Sequence, residues 1–228
     1  MGFFSDLWDG VCELCSDVVG LLSDTLKSSA LLQALLPILT VVIPPPLDAI
    51  AAVVIMAISN AMGMKEKPDE LGWQMNEADK KPEDFGSFKE YKEYLDREYP
   101  FDQEKFDALS DEQKRACRYV GMAGTIQEIK EAKGFELSPA SLGLIATGAA
   151  SLHWDSEQIG AFAKGLSLSL SNSGIASLAD IESMAKGSLD PNKWDTVFGA
   201  ISAGVKEAGV AQNVSDVIAS LQKSVGDV

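Results

Sequence analysis

The stretch from Ser28 to Met64 contains thirty-seven residues and one formal charge, Asp48, and it is interrupted by Pro44, Pro45 and Pro46. Three prolines in a row remove three backbone donors and fix φ. They separate two apolar arms, Ser28 to Ile43 and Leu47 to Met62, and predict a helical hairpin. Left on a surface, such a hairpin would far exceed the apolar patch of a few hundred Å² that a soluble monomer exposes. It needs a bilayer, a protein partner or a deep core. Each arm, about sixteen residues or about 24 Å as α-helix, falls short of the roughly 20 residues that cross a bilayer singly, and Pro37 interrupts the first. A re-entrant wedge, an oligomeric pore lining or a hairpin buried in protein fits these lengths better than two full spans.

The residues before the hairpin read as an amphipathic helix. Phe4, Leu7, Val11, Leu14, Cys15, Val18, Leu22 and Leu26 recur at steps of three and four, while Asp6, Asp9, Glu13, Asp17 and Asp24 take other positions. No basic segment precedes Asp6, so a secretory signal is not expected, and Asp6 replaces the Ser or Thr favoured for myristoylation at Gly2. The membrane or assembly surface expected from the pattern comprises Phe4, Leu7, Trp8, Val11, Leu35, Leu39, Val42, Pro45, Asp48, Ile50, Val54 and Ile58. Asp48 just after the prolines reads as an early-turn carboxylate of the second arm. If the tip enters a bilayer instead, this acid must be paired, protonated or carried to the far side. Acid should therefore favour entry into anionic membranes.

From Lys65 to Asp107 the composition turns to fourteen acidic and eight basic residues with Pro68, Pro82 and Pro100. This predicts a charged linker with a short helix over Phe88 to Tyr99. Beyond it, three helix pairs are expected: Asp111 to Lys133 with Ser138 to Leu152, Ser156 to Leu170 with Gly174 to Lys186, and Pro191 to Ala208 with Val214 to Val225. Trp154-Asp155-Ser156 and Trp194-Asp195-Thr196 recur forty residues apart, followed by Ala161 with Gly165 and Ala200 with Gly204. Ser138, Ser173 and Asn213 are candidate caps, and Gly134, Gly187 and Gly209 candidate stops. The fold expected is all-α: 1–64 an amphipathic helix plus apolar hairpin, 65–107 a charged linker, 108–228 a bundle or short solenoid of helix pairs.

Chemistry is sparse. Lys and Arg number 19 against 34 Asp and Glu, a net charge of −15 that repels nucleic acid. Cys12 and Cys15 have the spacing of a redox pair or half a zinc site, but they lie inside a helical pattern, with only Cys117 and His153 to complete a metal site. A structural role is the better reading. Around His153, Asp155 and Ser156 read as a helix cap rather than an acid–base group. Neither a phosphate loop nor a hydrolase or metalloprotease motif occurs, so no enzyme, cofactor, metal or small-molecule substrate is expected.

Two functions fit. One is a membrane-active protein that inserts its hairpin or lines a conduit, a plan broadly similar to that of helical pore-forming toxins and of the internal proteins that tailed phages eject. It would reside at a membrane or inside a virion or delivery particle. The other is a structural subunit of a virion or secretion assembly that oligomerises through its apolar N-terminal helices. Both imply a homo-oligomer or larger assembly, with a lipid membrane as a further candidate partner.

Overall fold

The computed structural model describes residues 37–40, 42–44 and 46–225, which are helical and without strands. Residues 37–40 and 42 are helical, and the chain then turns, with Ile43 N donating to Leu39 O at 2.9 Å and Leu47 N to Pro44 O at 2.8 Å. Ten α-helices follow. They are α1 (Leu47–Ala61), α2 (Pro68–Glu77), α3 (Phe88–Glu98), α4 (Gln103–Asp107), α5 (Asp111–Lys133), α6 (Pro139–Ser151), α7 (Ser156–Ser173), α8 (Leu178–Ala185), α9 (Trp194–Ala208) and α10 (Val214–Val225).

Local chemistry accounts for most boundaries. Ser110 and Gln113 form a capping box that opens α5, Gly134 at φ +62° closes it, and Ser138 accepts from Ser141 N to open α6. Asp155 caps α7 through Gln158 N. The expected cap at Ser173 is displaced: Ser173 ends α7, Gly174 takes φ +65°, and α8 opens four residues later on a box of Ser177 and Asp180. The two Trp-Asp motifs also differ. Trp154 is buried ahead of a helix that Asp155 caps, whereas Trp194 is already the first residue of α9, after a 3₁₀ turn at Pro191–Lys193, and is exposed.

The second apolar arm, α1, is the hub. It packs against α5, α6 and α7, with Ala51, Val54, Ile55 and Ile58 wholly buried. Leu39 and Ile43, ahead of the proline turn, join the same core cluster. Around this hub α7 pairs with α9, α2 with α5, and α6 with α10. Contacts between helices distant in sequence, such as α1 with α7, make this a bundle rather than a one-dimensional stack.

Within 65–107 the sequence pattern predicts one helix. α3 matches it, and the structure adds α2 and α4. α2 lies so close to α5 that a Cβ at Gly72 would sit 1.7 Å from the Cys117 carbonyl oxygen, and one at Gly121 would sit 1.7 Å from that of Pro68. At the α7–α9 crossing, Gly165 would meet Ala203 O at 2.7 Å and Gly204 the Phe162 ring at 2.8 Å. The glycines that follow Ala161 and Ala200 in the repeated motif are therefore where these two helices touch.

Backbone has no rotamer with which to yield, so Gly121→Ala should destabilise the fold by about 3 kcal/mol or more, the upper range for overpacking. Gly199, in α9, has no neighbour near its missing Cβ among the described residues. There, Gly→Ala should add about 0.5–1 kcal/mol through helix propensity. Urea unfolding of both variants checks the pair, and a Gly121→Ala midpoint equal to wild type would contradict the close crossing.

Candidate functional site

The charge expected to matter in the hairpin has a partner seventy positions along the chain. Asp48 lies in the first turn of α1 with 2% of its surface exposed. Arg118 Nη1, on α5, donates to Asp48 Oδ2 at 2.7 Å, and Arg115 Nε, one turn earlier, lies 3.7 Å from the same oxygen. The other edge of the Arg118 guanidinium grips Asp69 of α2, Nε to Oδ1 at 2.9 Å and Nη2 to Oδ2 at 3.3 Å. Burial works against the Arg118 charge, but hydrogen bonds and attraction from Asp69 and Asp48 outweigh it and raise its pKa above the ordinary value. Arg118 thus joins three helices, α1, α2 and α5, at one point. Next to it, Tyr119 OH donates to Ile43 O at 2.5 Å, tying the proline turn to α5 as well.

A cleft of about 410 Å³ opens beside this cluster. Ala52, Val53 and Met56 of α1 form one wall, Phe101 and Phe106 the other, and Lys67, Asp69 and Arg118 the polar rim. Lys67 is already bound to Glu70 at 2.6 Å, and Arg118 to two carboxylates, so the rim is electrically satisfied. Behind the cleft, Cys117 packs with Trp73 and Phe106. Burial, then the charges of Asp69 and Glu77, push its thiol up to about 12. It holds no thiolate at neutral pH. His153 is an exposed left-handed residue at the end of α6, φ 56°, a stop rather than part of a cluster. Among the described residues no group of three or more His, Cys, Asp or Glu side chains could hold a metal ion, and no helix is long and apolar enough to cross a membrane.

Of the surface residues expected from the sequence, Leu39, Asp48, Val54 and Ile58 are buried in the body, and Val42 and Ile50 are half-buried against the same core. Phe4, Leu7, Trp8, Val11, Leu35 and Pro45 lie outside the described residues. Trp73 and Tyr94, aromatics of the charged stretch, are 5% and 7% exposed and belong to the interior. Sequence reasoning missed Arg115, Arg118 and Asp69. The available signal was the lone acid in an apolar arm, which demands a cation, together with two arginines three apart on one helix face.

A second charged cluster joins Lys92 of α3, Glu66 of the segment between α1 and α2, and Glu128 of α5. Lys92 donates to Glu66, which is almost fully buried, and stands 3.6 Å from Glu128. Glu128 Oε2 has no hydrogen-bond partner among the described residues. Burial raises the Glu128 pKa, Lys92 opposes it, and Asp96 and Glu131 add to the rise.

No protein-family model matches this chain, and neither a curated protein nor a solved structure matches it.

Removing Arg118 takes the only side-chain hydrogen bond found on Asp48 among the described residues and leaves it buried with Arg115 3.7 Å away, so Arg118→Ala should cost about 3 kcal/mol in urea unfolding, the low end for breaking a buried pair because one cation remains. Asp69→Ala, at a 37% exposed partner, should cost about 1 kcal/mol or less. Equal losses would contradict the asymmetry. For Glu128 the folded pKa lies above the unfolded one. Its ionised form therefore subtracts stability at neutral pH, and the deficit disappears as pH falls through the folded value. Glu128→Gln should match or exceed wild-type stability at neutral pH and flatten the acid side of the stability profile. A loss above about 1 kcal/mol at neutral pH would mean that Lys92 depends on this carboxylate.

Proposed function

We propose that this chain is a non-enzymatic assembly subunit, a helical body whose copies associate through the apolar residues preceding Pro37. The observation that supports this reading is the use the body makes of the second hairpin arm. α1 packs against three helices, and its single charge is paired with Arg118. An arm serving as the core of its own domain is a poor candidate for a bilayer wedge. Insertion would strip α1 from α5, α6 and α7 and leave Asp48 and Arg118 to find new partners. For the same reason a charge at Val54, the natural probe of a membrane-inserted arm, would report folding of the body. The apolar face that the sequence pattern gives Phe4, Leu7, Val11 and Val18 is then the surface offered to other copies, with acidic residues between to keep the assembly soluble.

Membrane insertion is the second reading, and it makes the opposite demand on the same residues. Size-exclusion light scattering of the full chain, with flotation on anionic liposomes at neutral and mildly acidic pH, separates the two. The expected result is a discrete oligomer that does not float at either pH. Leu7→Asp and Val11→Asp should reduce it to smaller species with unchanged helical circular dichroism. A chain that floats and releases liposome contents as the pH falls would overturn the assembly reading.

A further inference from the structure

The outward face of α9 differs from the rest of the body surface. Burial of Val197, Ala200, Ile201 and Gly204 fixes which side points inward. The opposite side carries Asp195, Gly199, Ser202 and Lys206 at steps of four, three and four, so they form one stripe along the helix. Along one flank run Trp194 and Phe198, 40% and 44% exposed. Along the other lies α7, antiparallel to α9. The Lys164–Glu207 pair at 2.7 Å and the approach of Gly165 to Ala203 place Leu168, 37% exposed, one turn along beside the same stripe. Two large aromatics and a leucine on solvent around a flat centre are the makings of an interface.

Gly199 sharpens this. Glycine inside a helix costs about 1 kcal/mol relative to Ala, and among the described residues nothing comes within 4 Å of where its Cβ would be. Unlike the glycines at the α2–α5 and α7–α9 crossings, it serves no close contact among the described residues. Asp195 and Lys206, at the two ends of the stripe, are exposed and make no ion pair among the described residues.

We propose that α9 is a self-association surface, joining two copies of this chain antiparallel about a two-fold axis midway between Gly199 and Ser202. In that register Gly199 lies opposite Ser202 of the second copy, so the backbones can approach to the about 8 Å of the closest helix pairs. Asp195 lies opposite Lys206 of the second copy, and the symmetry makes this pair twice. The flank of Trp194 and Phe198 meets its own copy, giving a row of four aromatic rings. A parallel pairing would set Asp195 against Asp195 and Lys206 against Lys206. The charges therefore choose the antiparallel form. They also choose the occupant. The acidic positions Asp6, Asp9, Glu13, Asp17 and Asp24 of this chain's own N-terminal stretch do not complement a stripe with one acid and one base. A face on one fifteen-residue helix, about 22 Å long, sits at the low end of specific interfaces, below about 1,200 Å² in total. The dimer is consequently weak, and it forms within an assembly or at high concentration.

The test is sedimentation equilibrium of the full chain up to hundreds of micromolar, at physiological ionic strength to screen the repulsion between two acidic bodies. Asp195→Lys and Lys206→Asp each place like charges together twice, and each should lower the association constant by at least about tenfold. The double variant Asp195→Lys with Lys206→Asp restores opposite charges and should recover wild-type association. Phe198→Ser should weaken it with no change in circular dichroism. Measuring the series again in a Leu7→Asp background separates this contact from the proposed N-terminal one, since the swaps act on α9 alone. Loss in both single variants with recovery in the double establishes the surface. A wild-type chain that is monomeric throughout the Leu7→Asp series, single variants that associate normally, or a double variant that stays apart would each overturn it.

Discussion

Everything in this body is arranged around the need to keep α1 dry. An apolar helix with one carboxylate is stable in protein only if it is enclosed on several sides and its charge is met, and the two demands are satisfied by the same neighbours. α5, α6 and α7 enclose the helix, and Arg118, projecting from α5, meets the charge. Because Arg118 also holds Asp69, the residue that neutralises the core reaches α2 as well, which the close glycine crossing already packs against α5. The pair is better described as a locating device than as a source of stability, since a buried ion pair returns little net energy against its desolvation.

The helix boundaries of the C-terminal part were legible because they are written in local chemistry. Ser110, Ser138 and Asp155 satisfy the first amide groups of α5, α6 and α7, and Gly134 and Gly209 adopt the left-handed conformation that ends a helix. α2 was not legible. Its glycine and charges argue for a linker by propensity, and only the close passage of α5 explains why Gly72 is preferred there. The pairing of Asp48 with Arg118 shows the same divide. The sequence placed the acid in the first turn of the second arm, where the structure has it, and named pairing only for a bilayer-inserted tip, whereas the partner inside the body is a property of the fold.

Repetition in the sequence proved a guide to helix contacts more than to environments. Gly165 and Gly204 occupy equivalent places in the two motifs and meet at one crossing, as the small-residue spacing suggests. The tryptophans that introduce those motifs part company: Trp154 is covered, tilted on Phe162 with ring centres 5.0 Å apart, and Trp194 faces solvent. Identical dipeptides therefore serve a core in one place and a surface in the other, and what separates them is the 3₁₀ turn ahead of α9, which carries Trp194 into the helix.

The central position of α1 also sets an order of events during synthesis. This helix is among the first parts of the body to be made, yet α7, one of its three covering partners, ends roughly a hundred residues later. At about 5–20 residues per second, the most apolar element of the body waits on the order of ten seconds for its cover. Until the native enclosure exists α1 is exposed apolar surface, the kind that makes a partly made chain prone to aggregate.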